Sequence, residues 1–204
     1  MREYIEKEIL PRYDGFDKAH QRDHAEYVIG QSLELAQHYD VDVDMVYAIA
    51  AYHDTGLAVD RKTHHLESGR IVREDLRLRE WFSEEQIETM AQAVEDHRAS
   101  SDHEPRSIYG KIVAEADRQI DGMTILRRTV QFGLSHYPEL DKEGHWLRAR
   151  EHLREKYAEG GYLKLWIPES TNAPRLRAFQ ELLKDSARVK ELFEDIYATF
   201  SQGE

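Results

Sequence analysis

Apolar residues recur along this chain at steps of three and four, the spacing that lines one face of an α-helix. Helical stripes run from Tyr27 to Gln37, Asp44 to Tyr52, His65 to Leu78, Glu84 to Asp96, Ile108 to Ile120, Met123 to Leu134, His145 to Tyr157 and Arg175 to Phe200. No alternating stretch of useful length interrupts them, so the period-two signature of strands is missing. The expected fold is all-α, a single-domain helical bundle. Local signals support the boundaries. Ser83 followed by Glu84, Glu85 and Gln86 predicts a capping box, and Thr171-Asn172-Ala173-Pro174 predicts the entry to the last helix. Between Gly160 and Pro174, a stretch carrying Tyr162, Leu165, Trp166 and Ile167 predicts an ordered loop or lid. Glycine and proline are sparse, 11 and 5 residues, which favours helix nearly throughout.

Several apolar stripes carry a polar intruder. His24 lines up with Val28, Gln31 and Leu35, and His53 ends the stripe Val46, Ile49, Ala50. His65 shares a face with Gly69, Val72 and Leu76, His97 continues Ile87, Met90 and Val94, and Asp117 falls between Val113, Ala114 and Ile120. A single inward histidine is usually a core imidazole satisfied by a carbonyl. An inward carboxylate costs several kcal/mol if left charged and unpaired, and no Lys or Arg occupies these stripes to pair with it. A divalent cation would satisfy the whole set. The adjacent pair His53-Asp54 poses a geometric problem, because neighbours on a regular helix diverge by about 100°. Gly56 relieves it by permitting a left-handed turn just past the helix end, so that both side chains face one centre. An ordinary helix C-terminus with a solvated Asp explains the spacing equally well.

Composition narrows the chemistry. With 204 residues, 40% of them hydrophobic, the chain can bury one sizeable core. It has no cysteine, which excludes disulfides, thiolate zinc sites and cysteine nucleophiles and leaves His, Asp, Glu and water as metal donors. No apolar run is long enough to cross a bilayer and the start, MREYIEKEIL, is too charged for a secretory signal, so a cytoplasmic protein with no membrane partner is expected. The net charge of −12 argues against general nucleic-acid binding but allows a small phosphorylated ligand held by a metal and a few local cations. Of the 11 histidines, His20, His38, His103, His136, His145 and His152 lack the inward context and are expected on the surface or in loops. The last helix, with Leu176, Phe179, Leu183, Val189, Phe193 and Tyr197, would pack on the core or on a second copy, leaving a homo-oligomer open.

The order His24, then Tyr52-His53-Asp54-Thr55-Gly56, then Asp117 within Ala114-Glu115-Ala116-Asp117-Arg118 resembles the H…HD…D signature of the HD superfamily of metal-dependent phosphohydrolases. AIAAYHDTG is similar to its second motif and KIVAEADRQID to its last, while His65 in HHLESGRIV and His97 in EDHRAS fit the extended version. The resemblance covers about residues 20–125, leaving 126–204 as a helical C-terminal extension within one domain, 1–204. It implies that His24, His53, Asp54 and Asp117 hold a divalent ion, in a nitrogen and oxygen donor set compatible with Mg, Mn, Fe, Co, Ni or Zn. In two-metal members the HD aspartate bridges the ions and two further histidines hold the second. His65 and His97 stand at those positions; His64 adjoins, but the stripe favours His65.

The resemblance further implies hydrolysis of a phosphomonoester or phosphodiester of a nucleotide or other small phosphorylated metabolite, by a water whose pKa a metal lowers. Asp54 is the expected catalytic carboxylate, using a spare oxygen to orient or deprotonate that water. Arg98, Lys111 and Arg118 are the candidates for gripping phosphate, although each taken singly also reads as a solvated surface charge. Glu67, Glu95 and Asp96 are candidates to orient imidazoles, and a charged helix exterior accounts for them equally well. Two other readings keep the same residues: a mixed-valent di-iron oxygenase, and a regulatory module that binds a nucleotide without turning it over. The metal motif sets the reaction type, while substrate identity depends on pocket shape.

Overall fold

A computed structural model describes residues 1–17, 20–101 and 103–201. As expected, the fold is all-α, with no strand among the described residues. A short α1 (Arg2–Tyr4) runs on through a π turn, Ile5–Ile9, and a 3₁₀ turn, Leu10–Gly15. There follow α2 (Arg22–Ala36), α3 (Val43–Tyr52), α4 (His64–Glu74), α5 (Glu84–Glu95) and α6 (Ile108–Asp117), then α7 (Gly122–His136), α8 (Lys142–Tyr157), α9 (Asn172–Lys184) and α10 (Ser186–Ser201). The chain divides into two compact units: Met1–Arg118 with Leu165–Ser170, and Gln119–Lys164 with Thr171–Glu204. No described helix is long and apolar enough to cross a membrane.

In the first unit α3 is the central helix. Met45 through Tyr52 are all buried, which demands neighbours on every side, and α2, α5 and α6 supply them. Asp42 starts the helix, its carboxylate accepting from the amides of Asp44 and Met45. The capping box of α5 forms as its sequence predicts: the Gln86 amide donates to Ser83 Oγ and the Ser83 amide to Gln86 Oε1. The N-terminal segment contributes Ile5, Ile9 and Tyr13, all fully buried, to the same core. Their spacing of four is a helical stripe that the charged flanks MREY and EKE obscure. Each such side chain contributes on the order of 1.5–3 kcal/mol of burial.

The predicted loop between Gly160 and Pro174 is non-helical up to Thr171, where α9 follows, and its stretch Leu165–Ser170 belongs to the first unit. The reason is Glu115, a fully buried carboxylate on α6. It accepts from the Trp166 amide at 2.7 Å, the Ile167 amide at 3.4 Å and Ser170 Oγ at 2.5 Å, so a charge that would be costly in the core is matched by three donors. Tyr39 Oη adds a bond to Glu169 at 2.6 Å. Glu115→Ala leaves those buried donors without an acceptor; the expected loss is about 2–3 kcal/mol of unfolding free energy, read from the midpoint of urea denaturation.

The second unit packs α7 to α10, with Trp146 against Phe193 and Tyr157 against Phe179. The stripe from Arg175 to Phe200 proves to be two helices. The chain leaves the helical region at Asp185 (φ −90°, ψ 82°), whose carboxylate then accepts from the Arg188 amide at 3.0 Å and starts α10. His145, expected at the surface, is buried on α8 beside Tyr197.

Candidate metal centre

Three chain segments converge in the first unit. Helix α2 begins at Arg22, earlier than its apolar stripe, which puts His24 in the first turn above Val28. Helix α3 ends at Tyr52; His53 keeps helical angles, but Asp54 leaves them (φ −108°, ψ 5°) and a 3₁₀ turn, Thr55–Ala58, follows. That irregular turn brings the two neighbours onto one centre, as their sequence context suggests. Gly56 serves a different purpose from the one expected. It has no positive φ, the only such glycine among the described residues being Gly160. A Cβ at Gly56 would lie 2.1 Å from the His64 carbonyl oxygen and 2.6 Å from the Ser68 amide nitrogen. Glycine is needed there because the turn runs against the backbone of α4, where the Gly56 amide also donates to Ser68 Oγ.

Asp117, the last residue of α6, completes a first group. Its Oδ1 lies 3.2 Å from His24 Nε2 and 3.9 Å from His53 Nε2, and the two imidazole nitrogens are 3.3 Å apart. Asp54 Oδ2 joins at 3.3 Å from His53 Nε2 and 3.7 Å from His24 Nε2. The other oxygen, Asp54 Oδ1, faces a second group: it is 3.4 Å from both His64 Nε2 and His97 Nε2, which are 3.2 Å from each other. One carboxylate therefore spans the two clusters, with one oxygen turned to each.

The second cluster differs from the expectation in one respect: the histidine that α4 brings to it is His64, not His65. The buried stripe of α4 is Ser68 and Val72 with Gly69 beside them, four and eight residues on from His64. Leu76, which drew the sequence stripe onto His65, is 72% exposed and lies beyond the end of the helix. His65 Nδ1 is buried without a hydrogen-bond partner, and burial, with the charges of His97 and Arg98, pushes its pKa down to about 4.

The donor set fits divalent ions. Ligand atoms about 2.1 Å from one ion at tetrahedral or octahedral angles lie about 3.0–3.4 Å from one another, close to the separations here. Protonation states agree. His97 Nδ1 donates to the Val94 carbonyl at 2.6 Å and His64 Nδ1 to the Arg61 carbonyl at 2.9 Å, so their Nε2 lone pairs face each other across 3.2 Å. Two opposed lone pairs repel unless a metal ion or a shared proton lies between them. His53 Nδ1 is held in the same way by the Ala50 carbonyl at 2.7 Å. Burial alone would raise the Asp54 carboxyl, but His53 and His97 outweigh it and hold the group well below the usual range; His24 and His53 do the same for Asp117. Burial and the charge of His97 lower His64.

Backbone carbonyls, then, orient three of the imidazoles. The carboxylates expected in that role are engaged elsewhere: Glu67 by Arg70, Glu95 by Arg73 and Arg106, and Asp96 by Arg106. A residue the sequence reading overlooked does support the site. Tyr13, fully buried, donates from Oη to the Ala51 carbonyl at 2.9 Å and accepts from the Asp54 amide at 3.2 Å, satisfying two backbone groups where α3 ends. Tyr13→Phe leaves both groups unpaired in the core and is expected to cost about 2 kcal/mol in a denaturant titration, with weaker metal retention on dialysis.

Of the cations singled out for phosphate, Arg98 is half-buried beside His97 and spends one N–H on the Lys62 carbonyl at 2.9 Å. Lys111 pairs with exposed Glu104. The buried Arg118 folds back onto the Ala114 carbonyl of its own helix. Arg98 and Arg118 both adjoin a cluster residue with donors to offer; Arg118 keeps a buried Nε without a partner next to Asp117, while Arg98 is the more accessible of the two.

Residues 22–119 match a family model described as HD domain, a span that holds all six residues of the two clusters. No curated protein and no solved structure matches the chain.

Proposed function

Because this chain carries an HD domain over residues 22–119, the mark of a superfamily of metal-dependent, hydrolase-like proteins, we propose that it hydrolyses a phosphate ester of a small metabolite at a two-metal centre. The observation that carries this reading is Asp54, which offers one oxygen to the His24, His53, Asp117 group and the other to the His64, His97 group. Two divalent ions there would acidify a water and offset the charge that grows on phosphoryl oxygens. The protein's own share is positioning. His53, His64 and His97 present fixed Nε2 lone pairs, and Asp54 sets the spacing of the two groups. Asp117 meets both imidazoles of its group through Oδ1 and keeps about a quarter of its side chain accessible, at 25%. It is the carboxylate best placed to orient a water and take its proton. Arg98, with donors to spare beside His97, grips the phosphate.

Metal analysis of the purified protein, joined to a phosphatase screen over nucleotides and sugar phosphates with each of Mg, Mn, Fe, Co, Ni and Zn, tests the reading. Close to two ions per chain and metal-dependent release of phosphate are expected. Two irons with an oxygen-dependent reaction would assign an oxygenase instead, and tight nucleotide binding without turnover in any metal would assign a sensor.

A further inference from the structure

A cavity of about 480 Å³ lies in the first unit between the N-terminal 3₁₀ turn and the residues that follow the HD pair. Arg12, Phe16 and Asp17 line one side, Leu57 and Arg61 the other. It adjoins the metal centre by two routes. Leu57 donates its amide to the Asp54 carbonyl at 3.0 Å, and Tyr13, next to Arg12, accepts from the Asp54 amide. On the other flank His20 sets its ring edge-on to His24, with centroids 5.8 Å apart, and bonds through Nδ1 to Asp17 at 2.9 Å; Asp17 in turn pairs with Arg61 at 2.5 Å.

The lining departs from its surroundings. The chain as a whole is acidic, at −12, yet this recess next to Asp54 and His24 presents two guanidinium groups against one carboxylate, Asp17. Arg12 gives Nε to the Glu8 carbonyl at 3.1 Å and makes no ion pair among the described residues, so its solvent-exposed guanidinium can take up an anion without breaking a bridge. Phe16, half-buried against Tyr13, and Leu57 add an apolar wall that a flat ring would cover. A volume of this size suits the non-reacting part of a nucleotide-sized substrate.

We infer that this cavity is the specificity pocket of the metal centre and that it selects phosphate esters whose alcohol part carries a ring and a further anionic group, read by Arg12 and Arg61. The inference rests on the phosphohydrolase reading above and names the substrate class for it. Arg12 is the principal anchor; Arg61 reaches the same anion by exchanging Asp17 for it. The phosphate at the metal centre and the anion in the cavity are thus bound by separate residues.

Equilibrium binding to the metal-loaded protein tests this independently of turnover, with inorganic phosphate and the uncleavable phosphonate analogues of adenosine 5′-monophosphate and adenosine 3′,5′-bisphosphate as probes in calorimetry. The bisphosphate is expected to bind most tightly. Arg12→Ala should weaken it by about tenfold or more while shifting inorganic phosphate less than twofold, and Arg12→Lys should restore part of the loss. Unchanged metal content and an unchanged melting temperature show that each variant is folded. Equal affinity for the bisphosphate and inorganic phosphate, or an Arg12→Ala effect of the same size on all three probes, overturns the pocket. Failure of the phosphohydrolase reading looks different: no ester is cleaved with any metal, whatever the order of binding.

Discussion

Asp54→Asn is expected to leave a folded protein that has lost most of its metal and, with it, its turnover. The substitution is nearly isosteric, and the Asp54 backbone amide still has Tyr13 Oη to bond, so the helix end should survive. The side chain, however, changes in the one respect that matters. As a carboxylate it turns an acceptor oxygen to His53 and His24 on one side and to His64 and His97 on the other. As an amide it can serve one side only, and its NH₂ would point into the other group of lone pairs, where it cannot act as a ligand. Loss of one ligand charge shared by both ions should lower metal content from about two per chain towards one or none, and turnover by on the order of 10³-fold, since the protein's electrostatic contribution to phosphoryl transfer depends on those ions. Plasma emission spectroscopy on dialysed protein and steady-state kinetics give both readouts. Full metal occupancy in Asp54→Asn would show that the carboxylate does not bridge.

Gly56→Ala is expected to be the most destabilising single-methyl change at the site. The added carbon would stand 2.1 Å from the His64 carbonyl oxygen, 2.6 Å from the Ser68 nitrogen and 2.8 Å from Glu67 Cβ. Two of these are backbone atoms in the first turns of α4, so no side-chain rotation relieves the clash; the turn after His53-Asp54 and the start of α4 must separate. That movement breaks the Gly56 to Ser68 bond and pulls His64 away from Asp54. A cost of at least about 4 kcal/mol follows from overpacking combined with the loss of a buried hydrogen bond, a large share of the stability of an ordinary domain. Urea denaturation of wild type and variant measures it. A shift below about 1 kcal/mol would mean that the turn and α4 are not in the close contact described. Gly110 offers a control, since its added Cβ would come no nearer than 3.1 Å to any neighbour, and that neighbour is the Pro105 side chain.

The sequence by itself determined most of the helical elements and most of the side chains that gather in the two His/Asp groups. Period and capping are local: the stripe Val46, Ile49, Ala50 and the Ser83–Gln86 box act within a few residues, so α3 and α5 form where the pattern places them. Donor chemistry is local too, because an inward Asp or His announces itself by its apolar neighbours, as His24, His53, His97 and Asp117 do. What the tertiary structure decided is everything that depends on which backbone lies alongside. The choice between His64 and His65 was settled by the face of α4 that meets α5 and the turn after Asp54, a face set by Ser68 and Val72. The need for Gly56 came from an approach to a segment eight residues further on, not from its own φ. Tyr13 and Glu115 acquired their roles through partners 41 and 51 residues away, Asp54 and Trp166. Hydrogen bonds of that kind leave no period in the chain, because a buried polar group is satisfied by whatever donor the fold delivers to it, at any separation in sequence.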